Sequence, residues 1–586
     1  MEKVTYLFTL LSIFILFLIL FVIFKNFYKN IDVTDDIDTT IIYYMQKTLY
    51  LLTTFSLVNV FLISYLIYKN YSNNRIIQQE FDFVIVGAGV TGSYLSNRLS
   101  QQFPDKKILV LEKNNNIGGR LISVNHKKNL QENPLEIADE HGGMRFFPNI
   151  HPCVNKLVKL FDLKTVIVPY ISDTDLFYGR GQSFKNNALF PETDSIYRLK
   201  NNEVNHDVLL TVKKNIFNVF KRSGVDPADI FKYKKELYDD VKLTSLDFKH
   251  EVVNGLIPIS NDNWKRYLDI SGYGDTFDSG LQFLSSAIED LSLDNKSTHK
   301  NEAQHFVKHG FNQIPIKLLN GFDKITLNDL FGNIKSNNLF MNNVNFYKFK
   351  EISDNKVLIN ASDNNNNHFS IITKNLYICT PKDSVDKIKG FDKKFIYSME
   401  KNVKEIPLFK IFLKYNNNWW NKLGFYGGRC TTDLEFGQLW FYNNNTLMSY
   451  AASNKATFWS KLIPKHHQLD FIPINNETSE IANTLVDMYK DFFKDYNVDI
   501  PMPDGIAWSY HPNGMSFWKS GNKNEPTNSI IKNLINVNKN ENIHYLNNDI
   551  CLNQSWIEGC FELVDEFIKD KYDMPGLLEH GVTIKK

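Results

Sequence analysis

The chain has 586 residues, enough for roughly two or three domains, and 43% of them are apolar, ample for large cores. Its 66 basic and 65 acidic residues leave a formal charge of +1, so the charge gives no footing for nucleic acid. The five cysteines (Cys153, Cys379, Cys430, Cys551 and Cys560) are odd in number and form no CxxC pair. That argues against a disulfide framework and a zinc site, and favours a reducing compartment for the globular part.

Val4 to Phe24 is an uncharged run of 21 residues rich in Leu, Ile and Phe. It is long enough to span a bilayer core, too long for a signal-peptide core, and has no small-x-small cleavage site. Thr48 to Tyr68 is a second uncharged run, interrupted by Asn59 and several hydroxyls. The expectation is one or two N-terminal transmembrane helices, at about 4–24 and 48–68, with residues 1–75 as membrane anchor and linker. Its lipid partner would be the bilayer. The lysines near the runs do not fix orientation; cysteine usage places the globular body in the cytosol. Short asparagine runs, such as Asn364 to Asn367 and Asn443 to Asn445, suit loops.

The stretch from Phe81 to Arg120 reads as strand, glycine turn, helix, strand, acid. The apolar run Phe83 to Val86 leads into Gly87-Ala88-Gly89-Val90-Thr91-Gly92, then a helix-compatible segment to Phe103. A second apolar run, Ile108 to Leu111, ends at Glu112, 20 residues past the last glycine, as a dinucleotide-binding unit requires. Gly87 permits the tight turn, Gly89 lets backbone approach a pyrophosphate, and Gly92 lets helix and strand pack closely. The helix N-terminus offers free N–H groups to the phosphates, and Glu112 can accept hydrogen bonds from a ribose. Ile117-Gly118-Gly119-Arg120 sets a cation and flexible backbone beside the same turn.

Further along, a hairpin is expected around Lys127 to Pro134. Spaced apolar residues, among them Val208, Val212, Ile216 and Val219, predict a mostly helical region from about Thr174 to Leu293. Gly310 to Pro315 turns the chain back. Strands are expected at 343–346, 356–359 and 376–379, an antiparallel block at 404–452, and a helix at 481–493. The segment 543–568 closes the chain.

These motifs resemble the flavin-containing amine oxidase family, most closely its L-amino-acid oxidases. The resemblance runs from about Phe81 to Ile568. It rests on the glycine turn, on Gly142-Gly143-Met144-Arg145, on the run from Phe409 through Leu434, and on Asn548-Asp549 with Ser555 to Cys560. It implies an α/β fold: a Rossmann-like FAD-binding domain (80–135, 300–400, 530–570), an interleaved α+β substrate-binding domain (136–172, 403–528) and a helical insertion (173–299). It also implies FAD contacts from Gly87, Gly89, Val90, Thr91, Gly92, Glu112, Lys113, Gly119, Arg120, Gly143, Met144, Arg145, Val344, Asp549, Trp556 and Ile557. Arg145 and Tyr450 would hold a substrate carboxylate, Lys410 a water at flavin N5, and Trp556 the wall of the substrate pocket. The residues themselves leave alternatives open: Arg145 paired with Asp139 or Glu140 or lying against the flavin, Lys410 on an edge strand facing outward, Tyr450 a plain core residue.

Two departures stand out. Asn548 occupies a position where the family has glycine, which matters if that position needs a positive φ. Ser509 to Lys523, where some members carry a flavin-linked cysteine, has none, so a noncovalent FAD is expected. The implied reaction is hydride transfer from a small amine or amino acid to flavin N5, with O2 reoxidation giving H2O2, ammonia and a keto acid or aldehyde. The alternatives are a membrane-attached FAD oxidase of another substrate, such as a polyamine, porphyrinogen or carotenoid precursor, and a catalytically degenerate flavin-fold protein. No metal is expected, and the oligomeric state is open.

Overall fold

The computed structural model describes residues 75–584 except 126–136, 169–175, 186–191, 227–233, 288–303, 464–466, 522–523 and the short stretches 273, 278–279, 333, 353–354, 444 and 583, together with Lys47, Tyr50 and Thr54. The chain divides into a unit of residues 1–76 with 367–369 and a larger unit of 77–366 with 370–586. In the first, Thr54 Oγ1 donates to Tyr50 O at 2.8 Å. The apolar runs expected to cross a membrane fall outside the described residues, apart from Tyr50 and Thr54. Among the described residues no helix is long and apolar enough to cross one.

The larger unit is built on two eight-stranded sheets. In the first, the strand Arg75–Val86 lies parallel to Ile108–Leu111, which lies parallel to Asn338–Met341. Every residue of Ile108–Leu111 is buried. An unbroken apolar run is what a parallel strand covered on both faces requires. The antiparallel strands Val344–Ile352 and Lys356–Asp363 extend this sheet, and Ile543–Tyr545 joins it in parallel beside His368–Ile378. The helix Val90–Gln102 follows the first strand, and the last helix, Glu558–Tyr572, packs beside it. Asp565 fastens the two helices, accepting from Tyr94 Oη at 2.6 Å and from Arg98 at 2.9 Å.

The second sheet centres on the strand Val403–Lys414, between Thr446–Ala452 and Gly505–Trp518, both antiparallel to it. Side chains on a strand alternate between faces. Phe409, Ile411 and Leu413 bury one face against Ile481, Leu485, Tyr489 and Phe492 of the helix Ser479–Phe492. Phe412 faces the other way, with its cross-strand partners Met448 and Ala507, onto Met144 and Phe306. Lys410, one step along, shares that second face.

The stretch 173–299 is not wholly helical. It opens with a hairpin, Leu176–Gly179 and Gln182–Lys185, whose first strand pairs in parallel with Arg429–Thr432 of the second sheet. Arg180 (φ 49°) and Gly181 (φ 83°) make the two-residue turn, the backbone that short hairpins favour. Helices follow, including Val208–Arg222 and Asn261–Ser271. The hairpin expected at 127–134 lies outside the described residues; Ser123–Val124 and Asp139–Glu140, on either side of it, pair antiparallel.

A Cβ at Gly92 would sit 1.9 Å from Gly87 O. Gly92→Ala therefore forces the first helix off the first strand. It is expected to cost about 1–3 kcal/mol or more, read as a lower melting temperature of the full chain; an unchanged melting curve would contradict that packing.

Candidate active site

The glycine turn forms as its spacing requires. Gly87 has φ 104°, and a Cβ there would press on Cys379 O. At Gly89 a Cβ would meet nothing nearer than 3.9 Å, so the backbone is bare toward the adjoining space. Gly89 is the N-cap of the 13-residue helix Val90–Gln102, with no side chain bonded to the cap. The N–H groups of a first helical turn lack partners within the helix and carry its partial positive charge. Glu112, 5% exposed, accepts from Ala88 N–H at 2.7 Å and Asn114 N–H at 2.8 Å, one on each carboxylate oxygen. A carboxylate can accept about four bonds, so capacity remains for hydroxyl donors. Burial pushes its pKa up, and the amide bonds oppose that. A bare turn, an uncapped helix start and a buried acid fit the pyrophosphate and ribose of a dinucleotide.

Gly118 and Gly119 hold Arg120 opposite this turn: Gly118 N–H bonds Ala88 O at 2.9 Å. The Arg120 guanidinium reaches Asp549 Oδ1 at 3.1 Å. Asp549 is fully buried and also accepts from Ser516 Oγ at 2.8 Å and Lys382 N–H at 2.7 Å. Asp549 thereby holds Arg120 in place, and it is not among the residues that line the cavity.

Lys410 lies in a central strand, 4% exposed, not on an edge facing outward. Its ammonium donates to Glu140 O at 2.8 Å, Gly142 O at 2.5 Å and Met144 Sδ at 3.4 Å. A buried ammonium is costly without such partners. Burial pulls its pKa down, Glu140 opposes the shift and Arg145 adds to it. Burial likewise pushes the Glu140 carboxyl up, against the bonds it accepts from Ser123 Oγ and Phe311 N–H, both at 2.6 Å. Lys410 thus pins the backbone of 140–144 and sets where Arg145 emerges. The Arg145 guanidinium lies near two indoles, 5.1 Å from the Trp440 ring and 6.0 Å from the Trp556 ring. Tyr450, the cross-strand neighbour of Lys410, is half-buried with its ring 5.4 Å from Nζ.

Asn548 is not in the left-handed region; it opens a short 3-10 turn, Asn548–Ile550. The concern attached to its replacing glycine disappears. Its Nδ2 donates to Trp556 O at 2.7 Å and its Oδ1 accepts from Ser555 N–H at 2.9 Å, closing the loop that carries Trp556. The Trp556 ring lies 4.5 Å from His151 and 5.9 Å from Phe147. Glu558, fully buried, accepts from the Cys153 and Val154 amides at 2.8 and 3.0 Å and so joins the last helix to the helix Pro152–Leu160.

One cavity of about 1290 Å³ runs along these groups, beyond the roughly 300–1,000 Å³ of ordinary small-molecule sites. Gly87, Gly89, Val90, Thr91, Glu112, Lys113, Gly119, Arg120, Gly143, Met144, Arg145, Val344, Lys410, Tyr450, Trp556 and Ile557 line it. Gly92, packed against Gly87, and Asp549, bonded to Arg120, are not among the lining residues. Sequence reasoning missed Trp440, because nothing in its strand marks which face meets Arg145. It also missed His467 and His511, which line the cavity and lie far apart in the chain.

Residues 85–161 match the family model of the NAD(P)-binding Rossmann-like domain. The chain is 24% identical over 535 residues to an uncharacterized protein of Acanthamoeba polyphaga mimivirus, covering 85% of this chain and 95% of that one. It is 22% identical over 532 residues to achacin of Lissachatina fulica, covering 84% of this chain and 93% of achacin. Among solved structures, cyclohexylamine oxidase from Brevibacterium oxydans matches with a TM-score of 0.57 at 13% identity, over 85% of this chain and all of its own (100%). A redesigned putrescine oxidase matches with a TM-score of 0.54 at 13% identity, over 84% of this chain and 99% of its own. The chain thus carries a Rossmann-type dinucleotide-binding domain. Over 85% and 84% of its length it shares the fold of the cyclohexylamine and putrescine oxidase structures.

Asn548→Gly removes two bonds of the loop behind Trp556. It is expected to lower stability by about 1–3 kcal/mol in a denaturant titration, even though glycine is the residue of the resembled family; equal or greater stability would contradict the role given to Asn548.

Proposed function

We propose that the protein is an FAD-dependent oxidase of the C–N bond of an amino acid, with H2O2, ammonia and a keto acid as products. The observation that carries this reading is that Arg145, Lys410, Tyr450 and Trp556 line the same cavity as the glycine turn and Glu112. The cofactor side would be built from 80–135, 300–400 and 530–570, the substrate side from 136–172 and 403–528. FAD, held noncovalently, would be gripped at its pyrophosphate by Gly89, Val90 and Thr91, at its ribose by Glu112, and near Arg120 along its length. The chemistry it supplies when bound is two-electron oxidation of the amine, with O2 as the final acceptor.

The chain's own residues orient the substrate. Arg145 offers a planar fork for a carboxylate, and the flanking indoles keep the guanidinium in place and out of water. Tyr450 offers a phenol donor from the adjacent strand. Two of the Lys410 donors hold backbone carbonyls; the third meets a thioether, a weak acceptor, and is the one a water could take. Trp556 closes the wall beside Arg145.

A charge-assisted clamp contributes roughly 1.5–3 kcal/mol. Arg145→Met is therefore expected to raise KM for the amino acid by about ten- to a hundredfold while FAD stays bound, in steady-state peroxide assays on purified protein. Loss of FAD with an unchanged KM in the residual enzyme would contradict the assignment. The same reading anchors the protein to a bilayer through Val4 to Phe24 and Thr48 to Tyr68. Alkaline carbonate extraction of membranes is expected to leave the full chain in the pellet and to release a chain starting at Arg75; release of the full chain would contradict the anchor.

A further inference from the structure

We propose that the outward face of the helix Val208–Arg222 rests on an anionic lipid surface. The inference goes beyond the oxidase reading and does not depend on it. The helix carries no acidic residue along its 15 positions. One face is firmly seated: Val208, Val212, Ile216 and Val219 are buried, and the helix packs on Phe248–Val253 and Asn261–Ser271. Leu210, Lys214, Phe217 and Lys221 are exposed, at the i, i+4, i+7 and i+11 spacing that puts side chains on one stripe. Leu210 is 47% exposed and Phe217 45%.

Single exposed apolar side chains are ordinary. Here two share a stripe with Lys214 and Lys221, whose ammonium groups enter no ion pair among the described residues. The charges nearest in sequence are already engaged. Arg222 pairs with Glu251 at 3.6 Å, and Asp207, the N-cap, accepts the Leu210 N–H at 3.1 Å. Leucine and phenylalanine suit the acyl boundary of a bilayer, and lysine stems beside them lift their ammonium groups to the headgroups. Lysine is depleted where proteins meet. Two half-exposed apolar residues also fall far short of the roughly 800 Å² that each partner buries in a stable protein interface. Both points favour lipid over protein, and the charge match is with an anionic lipid.

The test puts an environment-sensitive fluorophore on Leu210→Cys in the full chain; the five native cysteines are buried, so the new thiol is the one that labels. The protein is reconstituted with vesicles of phosphatidylcholine alone or mixed with phosphatidylserine. The label is expected to brighten and shift to shorter wavelength in the mixed vesicles only, and to revert at high salt. Adding Lys214→Glu and Lys221→Glu is expected to raise the phosphatidylserine needed for the same response by about tenfold or more. The same fluorophore on Tyr397→Cys, exposed on the helix Lys393–Asn402, is expected to stay unchanged. Three results would each overturn the proposal: a Leu210→Cys label indifferent to phosphatidylserine, an equal response at Tyr397→Cys, or brightening without lipid that grows with protein concentration and so marks a second copy. Peroxide assays and carbonate extraction read the oxidase and the anchor separately, so failure here leaves both standing.

Discussion

The Lys410 ammonium, held by the carbonyls of Glu140 and Gly142, is the contact on which the rest of the site depends. It crosses from the centre of the second sheet to the stretch that leaves the first glycine-rich layer. The cost of burying a charge is met by two carbonyls and a thioether, and in return the backbone of 140–145 is fixed. Arg145 can then emerge beside Trp440 and Trp556. Truncating the lysine would remove a donor from two buried carbonyls at once, a more costly change than the loss of one hydrogen bond suggests.

Two further fastenings bring the distant parts of the chain together. Asp565 ties the last helix to the first through Tyr94 and Arg98, and Glu558 ties its N-terminus to the helix Pro152–Leu160. Trp556 therefore reaches the cavity from a segment more than 450 residues after the glycine turn in the sequence. Asp549 does the same for Arg120. Asp549, Asp565 and Glu558 hold other groups in place, while Glu112 lines the cavity itself.

What the sequence made legible follows from local rules. The glycine turn has few backbone solutions, so its spacing alone predicted a strand, a helix and an acid in the right places. A lysine within Phe409-Lys410-Ile411 could only be buried with partners or placed at an edge, and the strand's central position decided between them. Properties set by distant contacts were not legible. The φ of Asn548 depends on Ser555 and Trp556; the retreat of Asp549 depends on Ser516 and the Lys382 amide. The hairpin 176–185 opens a stretch whose apolar spacing, clearest after residue 208, predicts mostly helix; its own turn signal, Gly179-Arg180-Gly181, is local. His467 and His511 meet only because the strands Gln468–Pro473 and Gly505–Trp518 pair.

The most direct measurement is the absorption spectrum of the purified full-length protein, before and after anaerobic addition of an amino acid. A cavity built as described predicts oxidised-flavin bands that bleach with substrate and return with air. A correctly folded, colourless protein that takes up no FAD on incubation would contradict it.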